Sequence, residues 1–342
     1  MSAEPASGTG AIARQHLGVL DGWRGISILC VLSAHLLPLG PKAWHFNDMV
    51  APMGMALFFT LSGFLITRFL LEHDSVVDFL IRRFFRIVPL GWVAMAVVLV
   101  MAAAPESAYM PHFLFYANLP PQSLTNAGSH LWSLCVEFQF YVAIALLVAV
   151  LGRRGLYVLP LVCLAVTLHR ISSQALIDIV TWRRVDEILA GGILAMAFTN
   201  QFGERPRRML QWLNPYVLLA LLAISSHPGS GFINYLRPYF AALLVGATLF
   251  NPPARLGAML EGRLLRYVAT VSFALYVIHH PFVYTWLGSG DTVVRYLKRP
   301  LLFAATFALA HLSTFYFEKP CIEFGKRLSA RLNRSRLERQ LP

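Results

Sequence analysis

Charge is the scarcest ingredient of this 342-residue chain. Asp, Glu, Lys and Arg supply 13% of it, about half the share usual in a soluble globular domain. With 57% hydrophobic residues and a mean hydropathy of +0.58, the shortage excludes both an ordinary soluble enzyme and a disordered chain. Short segments of alternating polarity, which build transmembrane barrels, are also missing, because the apolar residues come in long runs. That leaves helices, which satisfy their own backbone hydrogen bonds inside a bilayer. Cysteine is rare too. Cys30, Cys135, Cys163 and Cys321 sit in or beside apolar runs, at no spacing that suits a metal site or a disulfide framework. They read as small packing residues. No A-x-A cleavage site follows the first apolar run, so it is expected to be kept as a helix. No internal repeat stands out, which weakens a transporter built from inverted repeats.

What is present is a series of apolar stretches, near 17–38, 50–71, 87–104, 131–151, 155–169, 176–200, 210–226, 233–250, 266–288 and 299–318. Each is long enough, or nearly so, to cross about 30 Å of hydrocarbon. The expected fold is an all-α polytopic membrane protein with about ten transmembrane helices. The net charge of +12 would suggest nucleic acid, but its distribution argues for a bilayer as partner and against nucleic acid. If both termini share one face, that face holds 21 of the 29 Lys and Arg. These include Arg14, Arg153, Arg154 and the run from Lys319 to Arg339. The positive-inside rule then places both termini in the cytoplasm. Residues 1–15 read as a disordered tail, 16–325 as the membrane domain and 326–342 as a basic tail with the spacing of an amphipathic surface helix. The longest outer loop, 105–130, carries an apolar patch, Phe113-Leu114-Phe115-Tyr116, too short to span and so re-entrant or interfacial.

Polar residues inside such stretches are costly and mark function by default. Arg24 and His35 are eleven residues apart in the first stretch, close to three helical turns, so they share one face roughly 16 Å apart. Arg82, Arg83 and Arg86 form a cluster whose guanidinium forks suit phosphate, although positive-inside anchoring would also place them there. In His130-Leu131-Trp132-Ser133-Leu134-Cys135-Val136-Glu137, His130, Ser133 and Glu137 can face one side. A carboxylate there could orient an imidazole, bind a sugar hydroxyl or pair with an arginine. Arg184, Asp186 and Glu187 enter another stretch ahead of Gly191-Gly192, a pair that permits close helix approach. Tyr276, His279 and His280 lie within about one turn. No carboxylate or cysteine is spaced to complete a metal site with them, so no metal is expected. Glu318-Lys319 reads as a helix end tied by an ion pair.

These pieces occur in the order found in one family. The LDGWRG opening with Arg24 and His35, the FFTLSGFLIT run at 58–67, Arg82-Arg83-x-x-Arg86, H-L-W-S-L-C-V-E-F-Q-F-Y at 130–141, R-V-D at 184–186, S-F-A-L-Y-V-I-H-H-P at 272–281 and F-E-K-P at 317–320 together resemble the acyltransferase-3 family of integral membrane acyltransferases. The resemblance is to the O-acetyltransferase type without a fused periplasmic domain, and it covers about residues 17–325. It implies a bacterial inner-membrane enzyme, in keeping with the excess of Arg over Lys. Such an enzyme moves an acyl group, often acetyl, from cytoplasmic acyl-CoA to a hydroxyl of a glycan or glycoside, with acetyl-CoA as co-substrate and no resident cofactor. Arg24, Arg82, Arg83 and Arg86 would hold the donor. His35 would be the general base, or transiently acylated, and Glu137 a second catalytic residue orienting it. Trp132, Ser133, Arg184, Asp186, Tyr276 and His279 would face the acceptor. A glycoconjugate transporter or flippase is the competing reading. The chain departs from the family at Phe138, where a second glutamate is common, and at His280, where an aromatic is common. The second departure leaves open which of His279 and His280 points inward.

Overall fold

The computed structural model describes the backbone of residues 8–73 and 75–338 and the side chains of 18–73 and 75–333. Arg14, Arg334, Arg336 and Arg339, counted above for the charge bias, have side chains outside that set. Among the described residues there is no strand. The chain forms α1 (Gly8–Leu36), α2 (Phe46–Glu72), α3 (Val76–Met101), the short α4 (Tyr109–Phe113), α5 (Trp132–Leu151) and α6 (Leu159–Ser172). There follow α7 (Asp186–Phe198), α8 (Glu204–Trp212), α9 (Pro215–Ser226), α10 (Arg237–Phe250) and α11 (Ala254–Leu260). The last are α12 (Arg263–Thr270), α13 (Ser272–Val283), α14 (Thr292–Leu297), α15 (Arg299–Leu312) and α16 (Lys319–Glu338), with a π-helical turn, Ser313–Glu318, joining α15 to α16. Among the described residues six helical segments are long and apolar enough to cross a membrane, or seven if α8 and α9, bent by 88°, count as one. The protein is therefore a multi-pass helical membrane protein.

Several boundaries differ from those read in the sequence. Helix α1 starts at Gly8, so residues 8–15, expected as a disordered tail, are helical; residues 1–7 lie outside the described residues. Helix α3 starts at Val76 rather than near 87, capped by Ser75, whose side chain accepts from the Asp78 N–H. Arg82, Arg83 and Arg86 thus project from inside a helix. Residues 176–185, expected as the start of a span, are irregular apart from a turn at Thr181–Arg183, and α7 starts at Asp186. Helix does not stop at Glu318 but runs through into α16, and Glu318 accepts from Thr314 Oγ1 at 2.8 Å.

The centre of the bundle is α2, which packs most extensively against α7 and α1. Its crossing with α7 depends on two glycines. A Cβ on Gly63 would meet the Ile188 carbonyl oxygen at 1.8 Å, and one on Gly191 would meet the Thr60 carbonyl oxygen at 2.0 Å. Both obstacles are backbone, which cannot swing aside. Gly191→Ala is expected to cost at least about 3 kcal/mol, the upper part of the overpacking range. It would show as a lower Tm of the detergent-solubilised protein; an unchanged Tm would mean that the two helices do not approach this closely. In the LDGWRG opening, Gly22 similarly lets α1 meet the backbone of Leu260 in α11, and Trp23 Nε1–H donates to Thr248 Oγ1 at 2.8 Å. Gly22 and Trp23 of that motif thus serve packing.

The 105–130 loop is held down by polar contacts. Trp92 Nε1–H donates to the Phe113 carbonyl, and Gln139 Nε2 donates to the Phe115 carbonyl and to Asn118 Oδ1. Phe138 stacks on Phe115 at 4.4 Å between centroids, so the residue that departs from the family serves the packing of this loop.

Candidate active site

Arg24 and His35, the polar pair singled out on α1, open onto different spaces. His35, near the end of α1, lines a cavity of about 360 Å³ together with His130, Trp132, Arg184, Tyr276 and His280. Its imidazole stays solvent-accessible on that side. Helix α13 carries Tyr276, His279 and His280, and the turn Ser129–Leu131 carries His130. Adjacent residues on a helix diverge by about 100°, so only one of His279 and His280 can face the opening. His280 does. His279, expected on the acceptor side, is fully buried behind His35.

That placement fixes the protonation pattern of His35. His279 Nδ1 lies 2.7 Å from the Tyr276 carbonyl oxygen and 3.1 Å from that of Leu275. Both can only accept, so this nitrogen carries the hydrogen. His279 Nε2 is then the acceptor for His35 Nδ1–H, 2.9 Å away. In a neutral imidazole one nitrogen is protonated and the other is not. His35 Nε2 is therefore left with a free lone pair. The two rings are nearly parallel, with centroids 5.2 Å apart.

A second chain of hydrogen bonds supports the cavity wall. The Tyr276 hydroxyl donates to the His130 carbonyl oxygen in a short contact. Ser133 Oγ, 2.5 Å from the Tyr276 oxygen, is left to donate to it. His130 Nε2–H donates to the Val277 carbonyl at 3.2 Å. Ser133 itself is buried and holds Tyr276 rather than forming the cavity surface.

Arg24 lies near the middle of α1, about three turns before His35, and faces a small enclosed space with Arg83, Arg86, Ser62, Glu137 and Tyr141. Arg83 and Arg86 also line an adjoining cavity of about 170 Å³ with Arg82, Phe69, Phe79 and Lys326. Arg82 is paired with Asp78 at 2.6 Å, and the Arg83 guanidinium lies over the rings of Phe79 and Tyr141. Among the described residues no carboxylate lies within ion-pair distance of Arg24, Arg83 or Arg86.

Glu137 is the clearest correction. It was expected to orient His35, but its carboxylate belongs to the arginine space, where Ser62 Oγ and Tyr141 Oη each donate to Oε1 at 2.6 Å. Ser133 and Glu137 share a face of α5, yet the one turn between them, about 5.4 Å, carries Glu137 to the level of the arginines. The two spaces meet at an aromatic partition. Phe58 lines the arginine space, Tyr276 lines the histidine cavity, and their rings are stacked 6.1 Å apart.

Asp186, expected at the acceptor, does not reach the cavity. It is buried and pairs with Arg170 at 2.5 Å. Glu187 beside it pairs with Arg237 at 2.8 Å and with Arg184 at 3.3 Å. Of this group Arg184 lines the histidine cavity, its guanidinium 5.3 Å over the ring of Trp132. Sequence reasoning had not assigned His130, His280, Ser62, Tyr141 or Lys326 a role. His130 and His280 stood in clusters already noticed, and Lys326 in the cationic run; Ser62 and Tyr141 gave no separate signal. Among the described residues no group of His, Cys, Asp or Glu side chains is placed to hold a metal ion.

A family model described as an acyltransferase domain matches residues 17–318, and the chain belongs to that family. It is 24% identical to the peptidoglycan O-acetyltransferase OatA of Listeria monocytogenes, over 92% of this chain and 57% of that protein. It is also 24% identical to the putative peptidoglycan O-acetyltransferase YrhL of Bacillus subtilis, over 91% of this chain and 56% of that protein. The match to the O-acetyltransferase OatA of Staphylococcus aureus is again 24%, over 91% and 58%. The chain thus spans little more than half the length of these relatives. No solved structure matches it significantly.

Proposed function

We propose that this family member is an O-acetyltransferase of a bacterial inner membrane, taking acetyl from cytoplasmic acetyl-CoA and delivering it to a glycan hydroxyl on the opposite face. The observation that carries this reading is the arrangement along α1: near its middle Arg24 meets Arg83 and Arg86 of α3, which have no carboxylate partner among the described residues, and near its end stands an accessible imidazole with a free Nε2. Unpaired guanidinium groups in a half-buried space suit the phosphates of a nucleotide-bearing thioester. The positive-inside bias supports a cytoplasmic position for the arginine side and for both termini, with ten crossings as the topology proposed. The printed names of the relatives favour a glycan acceptor such as peptidoglycan.

In this reading Arg83 and Arg86, with Arg24 deeper and Lys326 at the rim, bind the phosphates and aim the thioester arm at the Phe58–Tyr276 partition. The acceptor hydroxyl enters the histidine cavity. His35 Nε2 takes its proton as the oxygen attacks the thioester carbonyl carbon. The tetrahedral intermediate collapses, the carbon–sulfur bond breaks, and the CoA thiolate leaves, taking up the proton that the His35 imidazolium gives back. His279 acts as a positioning residue, holding the tautomer of His35 in which Nε2 is the base. Glu137 balances part of the positive charge around the donor.

The test is purified protein in lipid nanodiscs with labelled acetyl-CoA and a peptidoglycan-derived oligosaccharide. The reading expects protein-dependent release of free CoA and an O-acetyl ester on the sugar. Finding neither, with folded protein, would overturn it.

A further inference from the structure

The histidine cavity is lined by one guanidinium, Arg184, and one carboxylate, Asp178, and is backed by further charged residues. Behind it, Arg170, Arg184 and Arg237 are set against two carboxylates, Asp186 and Glu187. At its edge Asp178 pairs one-to-one with Arg183 at 3.1 Å and also accepts the N–H groups of Ile179 and Val180. Asp178 is therefore already engaged. Glu187 is shared between two guanidinium groups. One cationic charge is left over among these residues, and Arg184 is where it falls. Its contact with Glu187 is the longest of the buried pairs, at 3.3 Å, and among the described residues its Nε and Nη1 have no hydrogen-bond partner, against one such nitrogen each on Arg183 and Arg237. It is 2% exposed, yet it lines the cavity beside Trp132, whose ring lies under the guanidinium.

A buried guanidinium with unmade bonds is strongly unfavourable unless a ligand supplies the missing acceptors. The planar fork suits an oxyanion with two oxygens on one edge. Resting on the acyl-transfer reading above, we propose that the histidine cavity selects acceptors bearing an anionic group, a carboxylate or a phosphate, which pairs with Arg184 and so presents a nearby hydroxyl to His35. The neutral hydroxyl alone would leave the arginine as it is found here. Anionic recognition also separates the two ends of the protein: the arginine space holds the donor's phosphates, and Arg184 holds a charge on the acceptor.

Three acceptors test this in the nanodisc assay. They are a disaccharide of N-acetylglucosamine and N-acetylmuramic acid with its lactyl carboxylate free, the same disaccharide as the carboxamide, and N-acetylglucosamine 1-phosphate. The wild-type KM for the carboxylate is expected to be at least about tenfold below that for the carboxamide, the size of one charge-assisted hydrogen bond. A still lower KM for the phosphate would identify phosphate as the anion. Arg184→Gln is expected to reduce the carboxylate-to-carboxamide difference to about twofold, and Arg184→Lys, which keeps the charge but not the fork, to leave an intermediate difference. Misfolding would depress all acceptors alike, and the wild-type comparison needs no variant. Equal wild-type KM values for all three acceptors would overturn the proposal while leaving acyl transfer intact. If no acceptor is acylated, the acyl-transfer reading fails instead, and calorimetric binding of the carboxylate and carboxamide disaccharides to the wild-type protein then decides the anion site. Preferred binding of the carboxylate supports it, and equal binding refutes it.

Discussion

His35→Ala is expected to lower acetyl transfer by about 10²–10⁴-fold, the usual contribution of a positioned general base. The protein should still insert and accumulate. His35 stands at the end of α1 with its ring open to the cavity, so removing it empties space in an opening rather than in the packed core. Its one side-chain hydrogen bond is to His279, which keeps its own bonds to the Tyr276 and Leu275 carbonyls. The predicted loss is therefore in kcat, with the KM for acetyl-CoA little changed. His35→Gln should not rescue it, since an amide can donate and accept hydrogen bonds but cannot take a proton near neutral pH. Near-normal turnover in a folded His35→Ala protein would show that the imidazole is structural.

The second large effect is expected at the opposite end. Replacing Arg83 and Arg86 together by Ala should raise the KM for acetyl-CoA by about 10–100-fold, the range for losing one or two charge-assisted bonds to phosphate. Both residues line both parts of the arginine space. Arg82 makes a useful contrast, because Asp78 already occupies it. Its replacement should affect donor KM less and stability more, since Asp78 is buried and would lose its cation. Positive-inside anchoring alone predicts something different for the double variant: altered insertion and an unchanged donor KM.

The helical, multi-pass character of the protein was legible because it depends on composition and run length, which a sequence displays directly. Helix limits were less so. The apolar stretch read from 87 leaves out the arginines at 82–86, yet α3 already starts at Val76 and carries them on a face that lines a cavity. The apolar content around 176–200 suggested one continuous helix, but the ion pairs of Asp178 and Asp186 hold residues 173–185 in irregular backbone. At the site, helical periodicity reported faces correctly and depth poorly. Arg24 and His35 line spaces reached from one helix, as their spacing implied. Ser133 and Glu137 also share a face, but one turn places them against different partners, Tyr276 and Ser62. His279 and His280 could not be distinguished from their order, because which of them turns inward depends on where α1 and the Ser129–Leu131 turn pack. The pairing of Arg170 and Arg237 with Asp186 and Glu187 comes from tertiary contacts that no local spacing encodes.

The central claim is that donor and acceptor meet from opposite faces of the bundle. Proteoliposomes test it most directly, with orientation assigned by protease access to the C-terminal helix, labelled acetyl-CoA supplied on the side of that helix, and the disaccharide acceptor confined to one compartment or the other. The account predicts O-acetylated sugar when the acceptor is on the side away from the acetyl-CoA. Acetylation only when both substrates share one compartment would contradict it.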